Sequence, residues 1–402
     1  MGLRNFFDNI APNFEKGGKY EKYYALFEMV ETFCYTPRTV TSVAPHARDY
    51  IDTKRVMTYV VLATIPALLF GLYNTGLQSN NALVAMGMTE MDGLRGWVLS
   101  LIGYNYDPAS IMGNILLGLT YWLPIYITTL LIGGIVEVVF ALIRGHEVTE
   151  GFLVTSMLFS LTLPATIPLW QVALGISFGV IFGKEIFGGQ GKNFMNPALV
   201  GRAFLYFAYP AQISGNAVWV GVDGFSGATA LNVGAMGGLE AITSAGITLQ
   251  DAFIGTIAGS IGETSTLAIL LGLAFLLFTK IANYRLVAGC VIGMIGTTLL
   301  LNWVGSETNP MFNLPWYWHF VIGGYAFGLV FMVTEPISGA MTNKGRWIYG
   351  GLIGFMVILI RVVNPAFPEG MMMAILFGNI FAPLIDYFVV QSNYKRRVKR
   401  DV

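Results

Sequence analysis

Long apolar runs separated by short polar breaks fill the chain from about residue 56 to about residue 390. A helix that crosses a bilayer needs about 20 mostly apolar residues. Ten segments meet or approach that length: 56–74, 118–142, 152–165, 169–187, 195–210, 265–280, 285–303, 317–334, 347–363 and 371–390. Several are short or broken by Gly and Pro. The segment 97–117 is apolar enough to be an eleventh, but Asn105, Asp107 and Pro108 interrupt it, so it reads as an interfacial helix. The pattern predicts an all-α polytopic membrane protein of about ten transmembrane helices.

Composition agrees. Of 402 residues 55% are hydrophobic and only 11% are Asp, Glu, Lys or Arg, with 48 glycines. So few charges cannot solvate a soluble domain of this length, which excludes a soluble enzyme and a disordered chain. Net charge is zero, so there is no basic footprint for nucleic acid. Cys34 and Cys290 form no CxxC, and His46, His146 and His319 are scattered, so neither a disulfide framework nor a metal site is predicted.

The cations test the span count, because Lys and Arg collect in cytoplasmic loops. The arm 1–55 carries Arg4, Lys16, Lys19, Lys22, Arg38, Arg48, Lys54 and Arg55, and the C-terminus reads YKRRVKR. Alternate loops carry Arg144, then Lys184 and Lys192, then Lys280 and Arg285, then Lys344 and Arg346. Intervening loops hold few: Arg95 lies in the first, and 203–263 and 303–316 hold none. Both termini are therefore expected in the cytoplasm, with an even number of spans. The polar arm does not read as a cleavable signal peptide.

Five spans precede the long loop and five follow, an odd number that sets the halves in opposite orientation. SLTLPATIPLW in the third span and VTEPISGAMTN after the eighth break at matching prolines. Broken helices in a bilayer are tolerated where they line a cavity, and transporter folds place ligands there; two ordinary proline kinks give the same pattern. The expected division is a cytoplasmic arm (1–55), a first five-helix repeat (56–210), a periplasmic loop (211–263), a second, inverted five-helix repeat (264–390) and a basic cytoplasmic tail (391–402).

Within the long loop, residues 223–229 read DGFSGAT. By local chemistry this is a glycine-permitted turn with exposed hydroxyls and one carboxylate. The D-G-x-S-G-A-T pattern also resembles the site where a flavin transferase attaches FMN, through its phosphate, to a threonine. With YTPRTVTSVAPHARDYIDTKR (35–55), GRAFLYFAYPAQISG (201–215), FIGTIAGSIGETSTLA (253–268) and RVVNPAFPEGMMMAILFGN (361–379), it makes the chain resemble, nearly end to end, the B subunits of bacterial Na⁺-translocating NADH:quinone oxidoreductases. The D subunits of Rnf complexes share the motif but typically lack so long an arm.

The resemblance implies an inner-membrane subunit with a urea-transporter-like pair of inverted repeats, working with five others (A, C, D, E and F). It would pass electrons from covalent FMN to riboflavin and ubiquinone, coupled to Na⁺ export. FMN would sit on Thr229, with Asp223, Ser226 and Gly227 completing the motif read by the transferase. No nicotinamide fingerprint occurs, so NADH would be oxidised by another subunit.

The stretch 188–204, GGQGKNFMNPALVGRAF, resembles the family's riboflavin region, which points to Asn193 and Asn196. Their amides suit a planar heteroaromatic ligand, and capping of the helix at Pro197 explains Asn196 equally well. Arg202 lies one to two turns inside the fifth span, where a charge is costly and usually functional. It is expected to face the interior and pair with a carboxylate or a flavin phosphate. Glu28, Glu137, Glu335 and Asp386 are expected near the cytoplasmic side, and the resemblance makes acids at these positions candidates for Na⁺ uptake. A salt bridge to a loop cation is the alternative for each. Gly133 and Gly134, one turn before Glu137, are either a packing face or, as the resemblance implies, part of a quinone region with Asp52 and Lys54. The rival readings are an Rnf-type ferredoxin:NAD oxidoreductase subunit and a non-redox solute channel or transporter.

Overall fold

A computed structural model describes residues 3–24, 27–28, 30–31, 35, 41, 43–45, 51, 53–145, 151–364 and 368–400. The described residues are helical with intervening turns, and none forms a strand. A short amphipathic helix α1 (Leu3–Ile10) opens the arm, with Phe7 packed on Phe27. The long helices follow: α2 (Thr53–Ala85), α3 (Gly93–Leu101, short) and α4 (Ile111–Arg144). At 34 residues, α4 is about 51 Å long, beyond the ~30 Å of a hydrocarbon core, so its ends must project or tilt. The interfacial helix expected over 97–117 is instead α3, a turn, and the first residues of α4. Ser110 begins α4 by accepting from the Gly113 amide at 3.1 Å.

Next come α5 (Gly151–Leu161), α6 (Leu169–Gly183) and α7 (Pro197–Ala208). Helix α5 ends in the Thr162–Pro164 break, and Pro197 sits at the first turn of α7, where its missing N–H costs nothing. The long loop begins with a four-residue helical turn (Pro210–Ile213) and holds two longer helices, α8 (Ala230–Ser244, kinked at Gly237–Gly238) and α9 (Leu249–Ile254). Then follow α10 (Thr266–Phe278), α11 (Tyr284–Val304), α12 (Trp316–Val321), α13 (Tyr325–Phe327, continued as a π-turn over Gly328–Met332), α14 (Asn343–Val363) and α15 (Met371–Val398).

Among the described residues six helical segments are long and apolar enough to cross a membrane: Arg55–Ala85, Ile111–Arg144, Leu169–Phe187, Tyr284–Val304, Asn343–Val363 and Met371–Val398. Helices α5, α7 and α10 are apolar but shorter, and the segment read as an eighth span is divided at Gly323–Gly324. Each of the ten apolar segments thus contains helix, but four are shorter pieces than a single span requires.

Close backbone approaches hold the bundle. A Cβ on Gly118 would collide with the Leu72 carbonyl, and one on Gly354 with that of Cys290, which fixes the α2–α4 and α11–α14 crossings. The irregular segment 255–265 enters between helices. Its carbonyls at Thr256 and Ile257 accept from the Gln78 and Asn74 amides of α2 at 3.1 and 2.8 Å. Its Gly262 amide donates to the freed Leu161 carbonyl of α5 at 2.8 Å. Two interrupted segments therefore satisfy each other, as irregular backbone buried among helices must.

Candidate functional site

Two cavities lie among the described helices, the first at the start of α7. The inner one lies among helix ends that carry the loop cations. It encloses about 680 Å³ counting its open mouth, and is lined by Met57, Leu158 and Phe331 with Lys184, Asn193, Asn196 and Glu335. Asn196 begins α7: its Oδ1 accepts from the Leu199 amide at 3.2 Å, while its Nδ2 donates to Glu335 Oε2 at 2.9 Å. Ser338 Oγ donates to the same carboxylate oxygen at 2.6 Å. The Asn193 amide closes its own loop, accepting from Gly191 N at 3.3 Å and donating to the Met195 carbonyl at 3.1 Å. Both asparagines line the cavity, and both are engaged as caps and loop ties. Each NH₂ retains a second hydrogen. Apolar walls with a few amide donors fit a planar heteroaromatic group.

The remaining inner residues distribute differently. Glu137 pairs with Lys184, and both are buried. Asp386 accepts from the Met341 amide at 2.6 Å, the Thr342 amide at 3.0 Å and the Thr342 hydroxyl, which fastens α15 to the start of α14. Glu28 is buried in the arm. A Cβ on Gly133 would strike the Phe152 ring, whereas one on Gly134 would stand 3.7 Å from it; neither glycine lines the inner cavity. Lys54 is in the first turn of α2, and Asp52 lies outside the described residues, as do Cys34, His46 and His146.

The outer cavity lies beside the carboxylates that Arg202 of α7 holds, and encloses about 400 Å³, again with its mouth. Thr229, Trp219, Glu263, Thr264, Gly323 and Glu369 are among its lining residues. Thr229 caps α8, its hydroxyl accepting from the Asn232 amide at 3.2 Å. The loop before it is clasped by Asn216, whose carbonyl accepts from Gly227 N at 2.9 Å and whose side chain accepts from the Asn232 amide group. Gly224 has φ +80°, a conformation glycine adopts freely, and Asp223 and Ser226 are exposed. Tyr121 of α4 donates to the Gly221 carbonyl, and the Arg95 guanidinium covers the Tyr121 ring at 3.7 Å.

Arg202 is 4% exposed and reaches toward this cavity. Its Nη1 donates to Glu263 Oε1 at 3.0 Å and its Nη2 to Glu369 Oε2 at 2.9 Å. Sequence reasoning selected Arg202 by depth but missed both partners, which lie 61 and 167 residues away. It also missed Arg361, fully buried in α14, which donates to the His319 and Ile322 carbonyls at 2.7 and 3.1 Å. A charge inside an apolar run was the available signal for Arg361, as it was for Arg202. The Thr264 hydroxyl is buried at the cavity with no partner among the described residues, which leaves a polar atom for a bound group to satisfy.

Comparison with known proteins covers the whole chain. It is 61% identical over 404 residues to the B subunit of the Na(+)-translocating NADH-quinone reductase of Ectopseudomonas mendocina (strain ymp), covering 100% of both chains. The protein of the same name from Stutzerimonas stutzeri (strain A1501) is 60% identical, again over 100% of each. That from Chromohalobacter salexigens is 59% identical, over 100% of this chain and 97% of its own. The profile of the NQR2, RnfD, RnfE family matches residues 40–395, and the chain belongs to that family.

Proposed function

We propose that the chain is the flavin-carrying membrane subunit of a Na⁺-translocating NADH:quinone oxidoreductase, with FMN bound covalently through Thr229 and riboflavin in the inner cavity. The observation that carries this reading is the position of Thr229, which ends the DGFSGAT motif and stands on the wall of the outer cavity. Full-length similarity to proteins of that name supports it. Flavin supplies one-electron transfer when bound; the chain's residues hold it in place and set its surroundings.

At the outer cavity, the first-turn N–H groups of α8 stand beside Thr229 Oγ1, where a helix N-terminus favours the negative charge of a phosphodiester. Thr264 would offer its hydroxyl to a group bound in the cavity. At the inner cavity, Asn193 and Asn196 offer their free amide hydrogens. Asn196 caps α7, and Arg202, six residues along the same helix, holds the Glu263 and Glu369 carboxylates of the outer cavity, so one short helix serves both cavities.

The finer topology belongs to the same proposal. The six long helices and the four shorter apolar segments make ten spans as two inverted repeats, with both termini in the cytoplasm of a bacterial inner membrane and Thr229 on the periplasmic side, where the transferase acts. Five partner subunits complete the complex. Ubiquinone is placed between Gly133, Gly134 and the arm near Asp52 and Lys54. Glu28, Glu137, Glu335 and Asp386 are the carboxylates linked to Na⁺ entry.

The test is the denatured subunit on a gel under ultraviolet light. A fluorescent band that disappears in Thr229→Leu is expected, and a dark wild-type band would sink the proposal. Na⁺-stimulated NADH:quinone activity in membranes separates this reading from an Rnf-type subunit, which would use ferredoxin.

A further inference from the structure

The outer cavity contains a charge arrangement that attachment at Thr229 does not require. Arg202 lies behind the wall, while the carboxylates it holds, Glu263 and Glu369, face the cavity. On another side, Arg361 is fixed to the carbonyls that end α12, next to Gly323, which also lines the cavity. A Cβ on Gly323 would stand 3.0 Å from Arg361 Nη2, and one on Gly324 2.6 Å from Glu263 Oε1. The glycine break thus lets a cation and an anion approach the backbone at one point. Two arginines and two glutamates give a formally neutral group around a space lined by buried Thr264 and by Thr229.

Arg202, Glu263 and Arg361 are buried and Glu369 is half-buried; taking such charges out of water is costly before pairing offsets it, and apolar residues of similar volume often pack as well. A stability role alone is therefore a weak reason for the group. Its position suggests another: charges in a low-dielectric wall act strongly on any change of charge inside the cavity.

We propose that Arg202 is a positioning residue that holds the Glu263 and Glu369 carboxylates and thereby sets the electrostatic potential met by a flavin on Thr229. The inference rests on that flavin reading. An electron arriving in the cavity adds negative charge there. Arg202 favours its arrival and the two carboxylates oppose it. Replacing Arg202 by a neutral residue leaves the wall one unit more negative, and replacing Glu263 leaves it one unit more positive. Bonded partners should therefore shift the flavin's midpoint potential in opposite directions, whereas loss of packing on either side would shift it the same way or not at all.

The experiment is a redox titration of the covalent flavin in the purified complex, followed by its absorbance. Arg202→Gln is expected to lower the midpoint, Glu263→Gln to raise it, the double variant to return toward wild type, and Arg202→Lys to stay near it. The titration is run at alkaline pH, where a carboxylate released from Arg202 stays ionised. Shifts of the same sign in Arg202→Gln and Glu263→Gln, or no shift in Glu263→Gln, would overturn the proposal. If Arg202→Gln does not assemble, Glu263→Gln and Arg202→Lys carry the test, and an unmoved or lowered midpoint in Glu263→Gln is the contrary result. Absence of covalent flavin in the wild-type band contradicts the Thr229 reading instead, so the two failures are distinct.

Discussion

Replacing Asp386 by alanine separates a structural carboxylate from an ion-linked one. The Asp386 carboxylate accepts from the Met341 and Thr342 amides and the Thr342 hydroxyl, at the N-terminus of α14. Hydrogen bonds to a charged group are worth about 1.5–3 kcal/mol each, but these three share one half-buried group and are not additive. The Thr342 cap itself survives, because its hydroxyl accepts independently from Gly345 N at 3.0 Å. A net local cost of about 2 kcal/mol follows, which is roughly a 30-fold rise in local opening. Hydrogen–deuterium exchange of a peptide spanning 339–347 reads this directly. Asp386→Ala should exchange roughly 30-fold faster there, by the same arithmetic. Asp386→Asn, which keeps one acceptor oxygen, should fall in between. If Asn restores protection but not Na⁺-stimulated turnover, the charge itself serves the ion. Unchanged exchange in Asp386→Ala would refute the reasoning about this contact.

Other expectations follow from the same geometry. Asn196→Ala removes the cap of α7 and a Glu335 partner, at about 1 kcal/mol for the cap, and should release the noncovalent flavin while leaving the covalent flavin in place, measured by acid extraction and chromatography. Gly133→Ala forces a Cβ into the Phe152 ring and should destabilise by about 1–3 kcal/mol, whereas Gly134→Ala should be tolerated; thermal inactivation of the complex distinguishes them. Thr248, through its hydroxyl and its backbone amide, holds the exposed Asp251 carboxyl below the ordinary carboxylate range. A depressed pKa contributes stability above the unfolded value that is lost as pH falls through the folded one. Asp251→Asn should accordingly loosen α9 at neutral pH, and its difference from wild type should vanish in acid, read by exchange corrected for its intrinsic rate.

Hydropathy located the helices well, because lipid exposure demands continuous apolar sequence whatever the tertiary contacts. It misjudged ends: α2 and α4 continue through polar residues such as Gln78, Asn80 and Asn114, whose side chains bond across the bundle. Helices α8 and α9 were not anticipated within the long loop. Their caps, Thr229 and Thr248, read locally as turn residues, and the capping box of α9 was the missed signal. The division at Gly323–Gly324 depends on Arg361 supplying donors to the carbonyls at its edge, a contact no local window contains. The outer charge group was half legible. Depth along a span singled out Arg202, but its carboxylates come from the irregular segment 255–265 and a turn that only the folded chain brings together.

The central claim is a flavin bound covalently at Thr229. Mass spectrometry of the peptide containing residues 223–229, taken from the purified subunit, tests it most directly. The account predicts a mass increment of one FMN less one water, fragmenting to Thr229 and absent in Thr229→Leu. An unmodified Thr229 in active, Na⁺-stimulated complex would contradict it.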